Sequence, residues 1–395
     1  MTNWKEYKLS DLMQIKYGKD HKHLADGSYP LYGSGGIMRL VEKPLYDDES
    51  ILIPRKGTLS NLFYLNEPFW SVDTMFWSII NRDLALPKYL YYTLKTFDLA
   101  SLNVGSAVPS LTTQVLNELL VSVPSLPTQT AIAEILSSLD DKIELNNKIN
   151  QELENLAQTL FKQWFIDFEF PNQNGEPYKS SGGEMVDSEL GDIPKGWEVG
   201  TFGDLCKIVN GYAFKSKDFG ETGSNGILKI RNVNGSIVDI INTQFVSNNV
   251  IASVQDKFKV LSGHILIAMT GAEVGKTGIV PETNKSLWLN QRVGRFEPII
   301  ENTIVFIYHL FNVLNFTQAV RGSAMGSAQP NISASGIESI NCIIPPKDVI
   351  QLFSSVNQDS FNLTLKHLGE NQELTNLRDT LLPKLISGEL EVKKT

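Results

Sequence analysis

Cysteine is nearly missing from this chain. Cys206 and Cys342 are the only two in 395 residues. That is too few for a disulfide framework, so a reducing compartment, the cytoplasm, is the expected location. Long apolar runs are missing too. Nothing approaches the ~20 residues of a membrane-crossing helix, so no membrane partner is expected. The opening "MTNWKEYKLSDL" has no signal-peptide core. Histidine is scarce: the five form no His-Glu-x-x-His, and His21-x-His23 has no third ligand nearby, so no metal site is expected. The Asn/Asp-Pro-Pro-aromatic motif of an amino-methyltransferase is absent, and Pro345-Pro346 runs into Lys347. Asp379 with Glu391-Val392-Lys393 echoes a nuclease set, but at a terminus, where chains fray.

An excess of positive charge is also lacking, since the net charge is −9. Its distribution removes the objection to a nucleic-acid partner. Residues 129–169 hold eight acids against three lysines, and residues 176–192 five acids against one lysine. Those two segments carry the whole deficit, and basic clusters survive elsewhere.

One stretch, "AMTGAEVGKTGIV" (268–280), suggests a phosphate-binding loop. Such a loop needs glycine, then four intervening residues, then Gly-Lys-Ser/Thr, so that successive backbone N–H groups wrap the phosphates. The required position is Thr270; Gly271 is one residue too close. A helix should follow, yet Gly278-Ile279-Val280-Pro281 reads as a turn entering a strand. A P-loop ATPase is rejected on spacing.

What the sequence does contain is a repeat. "GSAVPSLT" (105–112) matches "GSAQPNIS" (326–333) at an offset of 221, and the register holds without a gap through "VSVP"/"CIIP" and "LENLAQTLF"/"LTNLRDTLL". Upstream, "WKEYKLSDLMQIKYG" (4–18) matches "WEVGTFGDLCKIVNG" (197–211) at offset 193, and "ILIPRKG" (51–57) matches "ILIAMTG" (265–271) at offset 214. The second copy therefore carries 28 extra residues before Gly326. Each copy is a variable domain followed by a helix.

Both helices show an apolar stripe stepping by three or four. The first runs through Ile132, Leu136, Leu139, Ile143, Ile149, Leu153, Leu156 and Leu160; the second through Phe353, Val356, Leu363, Leu374, Leu377, Leu381 and Leu385, weaker around Ser360, His367 and Glu370. Pro127 and Thr128 start the first, and Phe170-Pro171 with Gly175 stop it. A rod of roughly 60 Å results. So long a stripe calls for a partner helix, and its own duplicate is the obvious one. The domains read as mixed α/β. "ESILIP", "MFWSII", "LLVSVP", "GHILIAM", "TGIV" and "INCIIP" are the strands, and residues 86–96 and 303–316 are helical.

"GWEVGTFGDLCKIVNGYAFKSKDF", "LFKQWFIDFEFP", "VDSELGDIPKGW" and "LRDTLLPKLISGEL" resemble the specificity subunit of a type I restriction–modification enzyme, over the whole chain. The resemblance implies an α+β chain with an internal pseudo-twofold repeat. Two target-recognition domains (1–125 and 196–345) are joined by a central helix (126–171), a linker (172–195) and a C-terminal helix (346–395). The helices form an antiparallel coiled coil. It implies a non-catalytic chain in which each domain reads half of an asymmetric bipartite site in double-stranded DNA, while the helices fix the spacer. Two methyltransferase subunits and restriction/translocase subunits join it. S-adenosylmethionine, ATP and magnesium belong to those partners, and no cofactor to this chain. Half-sites read from one side of DNA lie about 34 Å apart, within reach of a ~60 Å rod. The competing readings are a scaffold that has lost DNA binding and a self-sufficient modification enzyme.

Phosphates call for Lys and Arg; base edges call for Arg, Lys, Asn and Gln. In the first domain the candidates are Lys16, Lys19, Lys22, Arg55 and Lys56. In the second they are Lys215, Lys217, Lys229, Arg231, Lys276, Asn290, Gln291, Arg292 and Arg295, with Lys207 and Lys285 in the same basic stretches. For any single cation the competing reading is a solvated surface charge; groups make a footprint. The expected coiled-coil or partner interface is Ile132, Leu139, Ile143, Leu153, Leu156 and Leu160 with Phe353, Val356, Leu374, Leu377, Leu381 and Leu385. "GYAFKS" (211–216) sets aromatics beside lysines, which could stack or brace a DNA-facing loop, although aromatics more often belong to the core. The Gly-Ser-Ala segments read as structural turns ahead of a Ser/Thr helix cap.

Overall fold

A computed structural model describes residues 4–103, 109–313 and 331–392. The chain divides into two compact units, residues 1–141 with 375–395, and residues 142–374. Both long helices contribute to both units: one spans Leu126–Phe165 and the other Lys347–Ile386. Residues 104–108 and 314–330, which include most of the two Gly-Ser-Ala segments, lie outside the described residues.

In the first unit the strands are β1 (Lys5–Lys8), β2 (Met13–Tyr17), β3 (Tyr29–Gly33), β4 (Gly36–Val41), β5 (Ser50–Pro54), β6 (Phe63–Leu65), β7 (Trp70–Ser71), β8 (Met75–Ile80) and β9 (Leu120–Val123). β1 pairs with β9 alone. An antiparallel sheet runs β2-β8-β5-β6, and a second runs β4-β3-β7 with β3 parallel to β7. β5 is buried on both faces, so it reads "SILIP" without a polar alternation. Its side chains serve two cores. Ile51 and Ile53 join Leu9, Leu12, Phe76, Tyr89 and the helix residues Leu136 and Leu385, while Leu52 joins Leu31, Phe69 and Met75.

The second unit holds β10 (Met185–Val186), β11 (Ile193–Pro194), β12 (Glu198–Thr201), β13 (Cys206–Asn210), β14 (Asn225–Leu228), β15 (Gln244–Val246), β16 (Lys259–Val260), β17 (Ile265–Ala268), β18 (Thr277–Ile279), β19 (Ser286–Leu289), β20 (Val293–Pro298) and β21 (Asn341–Ile344). β12 pairs with β21, one sheet runs β13-β20-β17-β18, and another runs β15-β14-β19-β16 with β14 parallel to β19. This is the plan of the first unit with β16 and the β10–β11 hairpin added. The repeat extends to single side chains. Ile265 and Ile267 enter one core and Leu266 the other, as Ile51, Ile53 and Leu52 do. It extends to hydrogen bonds as well. Leu111 N donates to Arg55 O at 2.9 Å, and Ile332 N to Met269 O at 3.0 Å. Thr112 and Ser333 each cap a short helix, accepting from Val115 N and Gly336 N.

The central helix stops at Phe165, short of the expected Phe170-Pro171. Phe168 adopts a φ of 61°, and Glu169 N turns back to Gln163 O at 2.8 Å. The aromatic run drives the turn: Phe161, Phe165, Phe168 and Phe170 fold into one cluster with Trp197. The C-terminal helix ends comparably, on Gly388 at φ 75°, where a Cβ would meet the Trp4 indole at 2.9 Å. Trp4 and Trp197 are the corresponding tryptophans of the repeat.

The contacts between the long helices differ from the expected stripe. Ile132, Phe353 and Leu385 are buried, and Leu139, Ile143, Leu153, Leu160, Leu374 and Leu381 are half-buried. Leu156, Val356 and Leu377 are exposed, at 68%, 56% and 46%, and so do not belong to the seam. Their place is taken by polar residues that bond across the two helices, Asn146, Asn150, His367 and Asn371, all buried. An apolar count at three- and four-residue steps passes over a seam that switches to asparagine.

Candidate nucleic-acid interface

In the first unit the turn after β5 carries Arg55 and Lys56, with Gly57 at φ 90° allowing the reversal. The Arg55 guanidinium lies 5.3 Å from the centroid of the Tyr17 ring, and its Nη1 donates to Asp73 O at 3.1 Å. Tyr17 ends β2 and is half exposed, and Lys19 follows it, its amide bonded to Ser71 O. Asn61 reaches the carbonyl of Ser34 in the β3–β4 turn at 2.9 Å. These bonds bring Lys19, Arg55, Lys56 and the glycine hairpin to one end of the two sheets. Lys16 lies on β2, and Lys22 follows in an exposed loop.

In the second unit the parallel strands β14 and β19 end side by side, Leu228 opposite Leu289. Lys229 and Asn290 therefore emerge together, and Asn290 N donates to Leu228 O at 3.1 Å. The loop after β13 closes over them, with Tyr212 N bonded to Leu289 O and Gln291 N to Tyr212 O. The aromatics of "GYAFKS" thus brace the loop. Tyr212 and Phe214 pack edge to face, 4.9 Å between centroids, on a small core with Trp288. Lys229 Nζ sits 3.4 Å over the Phe219 ring and donates to Gln244 Oε1 at 2.5 Å. Burial pushes the Lys229 ammonium below its ordinary range, and the neighbouring Arg231 adds to that. Glu221, which accepts from Gln244 Nε2 at 3.1 Å, opposes that shift, but neither cation has an ion pair among the described residues, so an anion would stabilise the locus. In the sequence Phe219 is marked only as the end of a family motif, and Gln244 is not marked at all.

Pairing sorts the candidates. Lys16, Lys19, Lys22, Lys56, Lys215, Lys217, Arg231 and Arg292 have no ion pair among the described residues. Gln291 and Arg292 are exposed on the turn before β20.

Arg295 is withdrawn as a DNA contact. It lies inside β20, 7% exposed, with Nη1 donating to Lys259 O at 2.8 Å and Nη2 3.0 Å from Glu297 Oε2. Strand alternation turns it into the fold, away from Arg292. Lys285 pairs with Glu373 at 3.2 Å, and Lys207 with Glu338 at 3.7 Å. Lys276 pairs with Glu273. The segment around it is a tight turn between β17 and β18, with Gly271 and Gly275 at φ 80° and 83°, and it opens no helix.

Comparison with known proteins decides the family. The model of the type I restriction modification DNA specificity domain matches residues 1–155 and 194–376. The chain belongs to this family. It is 29% identical, over its whole length and 90% of the relative, to the type I restriction enzyme MjaIX specificity subunit of Methanocaldococcus jannaschii. It is 27% identical to the HindI specificity subunit of Haemophilus influenzae, over 78% of this chain and 79% of that one. The crystal structure of a type I restriction–modification S subunit from M. genitalium shares its fold, with TM-score 0.60 and 18% identity, covering 100% of this chain and 97% of that one. The protein is thus a specificity subunit, and its two matched regions are the two copies of the repeat. No helix among the described residues is long and apolar enough to cross a membrane.

Proposed function

We propose that each recognition domain of this specificity subunit reads one half of an asymmetric, bipartite site in double-stranded DNA. The paired helices set the spacer, and the chain itself performs no chemistry. Methyltransferase subunits and restriction/translocase subunits supply the catalysis, with S-adenosylmethionine, ATP and magnesium held there. The observation that carries this reading is a duplicated frame with unlike tips. The hydrogen bonds Leu111–Arg55 and Ile332–Met269 are equivalent. Yet the turn they anchor reads Arg55-Lys56 in one copy and Met269-Thr270 in the other. A conserved frame with different base-facing chemistry reads two different sequences.

The test is to map methylated adenines in a host with and without this gene, then to insert four residues into the central helix. One split asymmetric site should appear, and the insertion should lengthen its spacer while both half-sites stay the same. A palindromic site, or an insertion that changes the bases recognised, refutes the reading.

A further inference from the structure

One short segment of the C-terminal helix grips two surfaces at once. On one side, His367, Glu370 and Asn371, spaced three and four apart, meet the central helix. Asn146 Nδ2 donates to Glu370 Oε2 at 2.8 Å and to Asn371 Oδ1 at 2.9 Å. Asn371 Nδ2 donates to Asn147 Oδ1 at 2.8 Å, and His367 Nδ1 lies 2.9 Å from Asn150 Oδ1. Asn146 is fully buried, and Asn150, His367 and Asn371 are less than 10% exposed.

On the other side, Leu365, Gly369, Gln372 and Glu373 hold the second recognition domain. Glu282 N donates to Leu365 O at 2.9 Å. A Cβ on Gly369 would lie 2.4 Å from Glu282 O, so only glycine admits this approach. Gln372 makes two backbone bonds, its Nε2 to Val238 O at 2.8 Å and its Oε1 from Ile240 N at 3.1 Å. Glu373 pairs with Lys285, which also donates to Ile240 O at 3.4 Å.

Neither side is built for stability. Glycine inside a helix costs about 1 kcal/mol against alanine. In the polar layer, Asn146 Oδ1 and Asn150 Nδ2 have no partner among the described residues, and an unpaired buried polar atom is destabilising. What such a layer supplies is register. Leucines can slide by a turn and still pack, whereas matched amides are satisfied at one alignment. The repeat shows that the grip is not generic. The positions corresponding to Gly369 and Gln372 are Lys148 and Gln151, which are exposed and bond only along their own helix, to Glu144 and Asn155.

We propose that Leu365–Glu373 is a register lock. Its polar face fixes the C-terminal helix against the central helix, its glycine face fixes the second recognition domain on that helix, and together they decide which spacer length is accepted without choosing bases. The residues are positioning residues, and the inference rests on the DNA-reading function proposed above.

The experiment uses the full chain with its methyltransferase partner, and duplexes carrying the mapped half-sites with the native spacer, one base pair fewer or one more. The wild type should discriminate among the three. Asn146→Leu with Asn371→Leu, and separately Gln372→Ala, should each lose about tenfold of that discrimination, the equivalent of one contact of this kind, with the preference for half-site bases unchanged. Gln372→Glu, which keeps the acceptor for Ile240, should retain more than Gln372→Ala. Folded variants with full spacer discrimination, or with altered base preference, overturn the lock. Hydrogen exchange at the Ile240 amide separates the two proposals. If the wild type binds no split site, DNA reading fails, while faster Ile240 exchange in Gln372→Ala at unchanged global stability still upholds the clamp. Unchanged exchange overturns the clamp.

Discussion

Two arginines three residues apart should behave oppositely. Arg292 is exposed on the turn before β20 and has no ion pair among the described residues. Arg295 is inside that strand, bonded to Lys259 O at 2.8 Å and paired with Glu297 at 3.0 Å. Replacing Arg295 with Met keeps most of the volume but strips the part-buried Lys259 carbonyl of its donor, a loss of about 1–3 kcal/mol. Glu297 is 56% exposed on its side chain, so solvent screens the ion pair, and it adds no more than about 1 kcal/mol. The expected total is about 1–4 kcal/mol of folding stability, with the salt dependence of DNA binding unchanged in the protein that remains folded. Arg292→Ala should leave stability within about 0.5 kcal/mol. It should lower the slope of log affinity against log salt by about one, as one phosphate contact is lost. Urea unfolding gives the first quantity. Fluorescence anisotropy of the methyltransferase complex on its mapped site, between about 50 and 200 mM salt, gives the second. A stable Arg295→Met protein with a reduced slope, or an Arg292→Ala protein destabilised as much as Arg295→Met, refutes the assignment.

Three further outcomes are expected. Glu273→Gln frees Lys276 from its pair and should raise DNA affinity and the salt slope; unchanged binding returns Lys276 to the solvated surface. Asp140→Ala leaves the Tyr92 hydroxyl, 2.6 Å away, without its acceptor and takes one of two carboxylates from Arg378, which keeps Asp379 at 2.8 Å, and should cost about 1–3 kcal/mol in urea unfolding; a loss within experimental scatter would show the site to be solvent-relaxed. Acid should weaken the second unit, because burial depresses three of its histidines. His264, beside Arg295 and Glu297, is lowered to about 4; His309, facing Glu154, and His367, facing Lys142, Glu370 and Lys366, are also lowered. Since the unfolded chain binds these protons first, stability holds above about pH 6.5 and falls as pH drops toward 4; a melting temperature flat across that window would contradict it.

The frame was legible because its physics is local. "ILI" before a glycine turn is a strand buried on both faces wherever it occurs, and its two copies place Ile51/Ile265, Leu52/Leu266 and Ile53/Ile267 in matching cores. The helix seam was only half legible. Periodicity finds Ile132, Phe353 and Leu385, but it ranks Leu156 above Asn146, although Leu156 is 68% exposed and Asn146 is 0% exposed. An apolar stripe records where burial is inexpensive. Asn146 is buried where it is costly, and only the Glu370 carboxylate and the Asn371 amide that accept from it explain why.

Arg295 shows the same limit from the other side. In "LNQRVGR" both arginines look like anion ligands, and composition gives them equal weight. What separates them is the point at which β20 begins. Before Val293 the chain is a turn tied to Tyr212 and Met269 through backbone bonds, so side chains point outward. After it, cross-strand neighbours Val209 and Leu266 enclose Arg295, and the guanidinium spends its donors on the fold. Under the DNA-reading function proposed above, recognition chemistry is expected at strand ends, where the duplicated hydrogen bonds stop and the two copies cease to resemble each other. That boundary, more than residue type, predicts which cations remain available to DNA: Lys229, Arg231 and Arg292 lie beyond it, and Arg295 lies within.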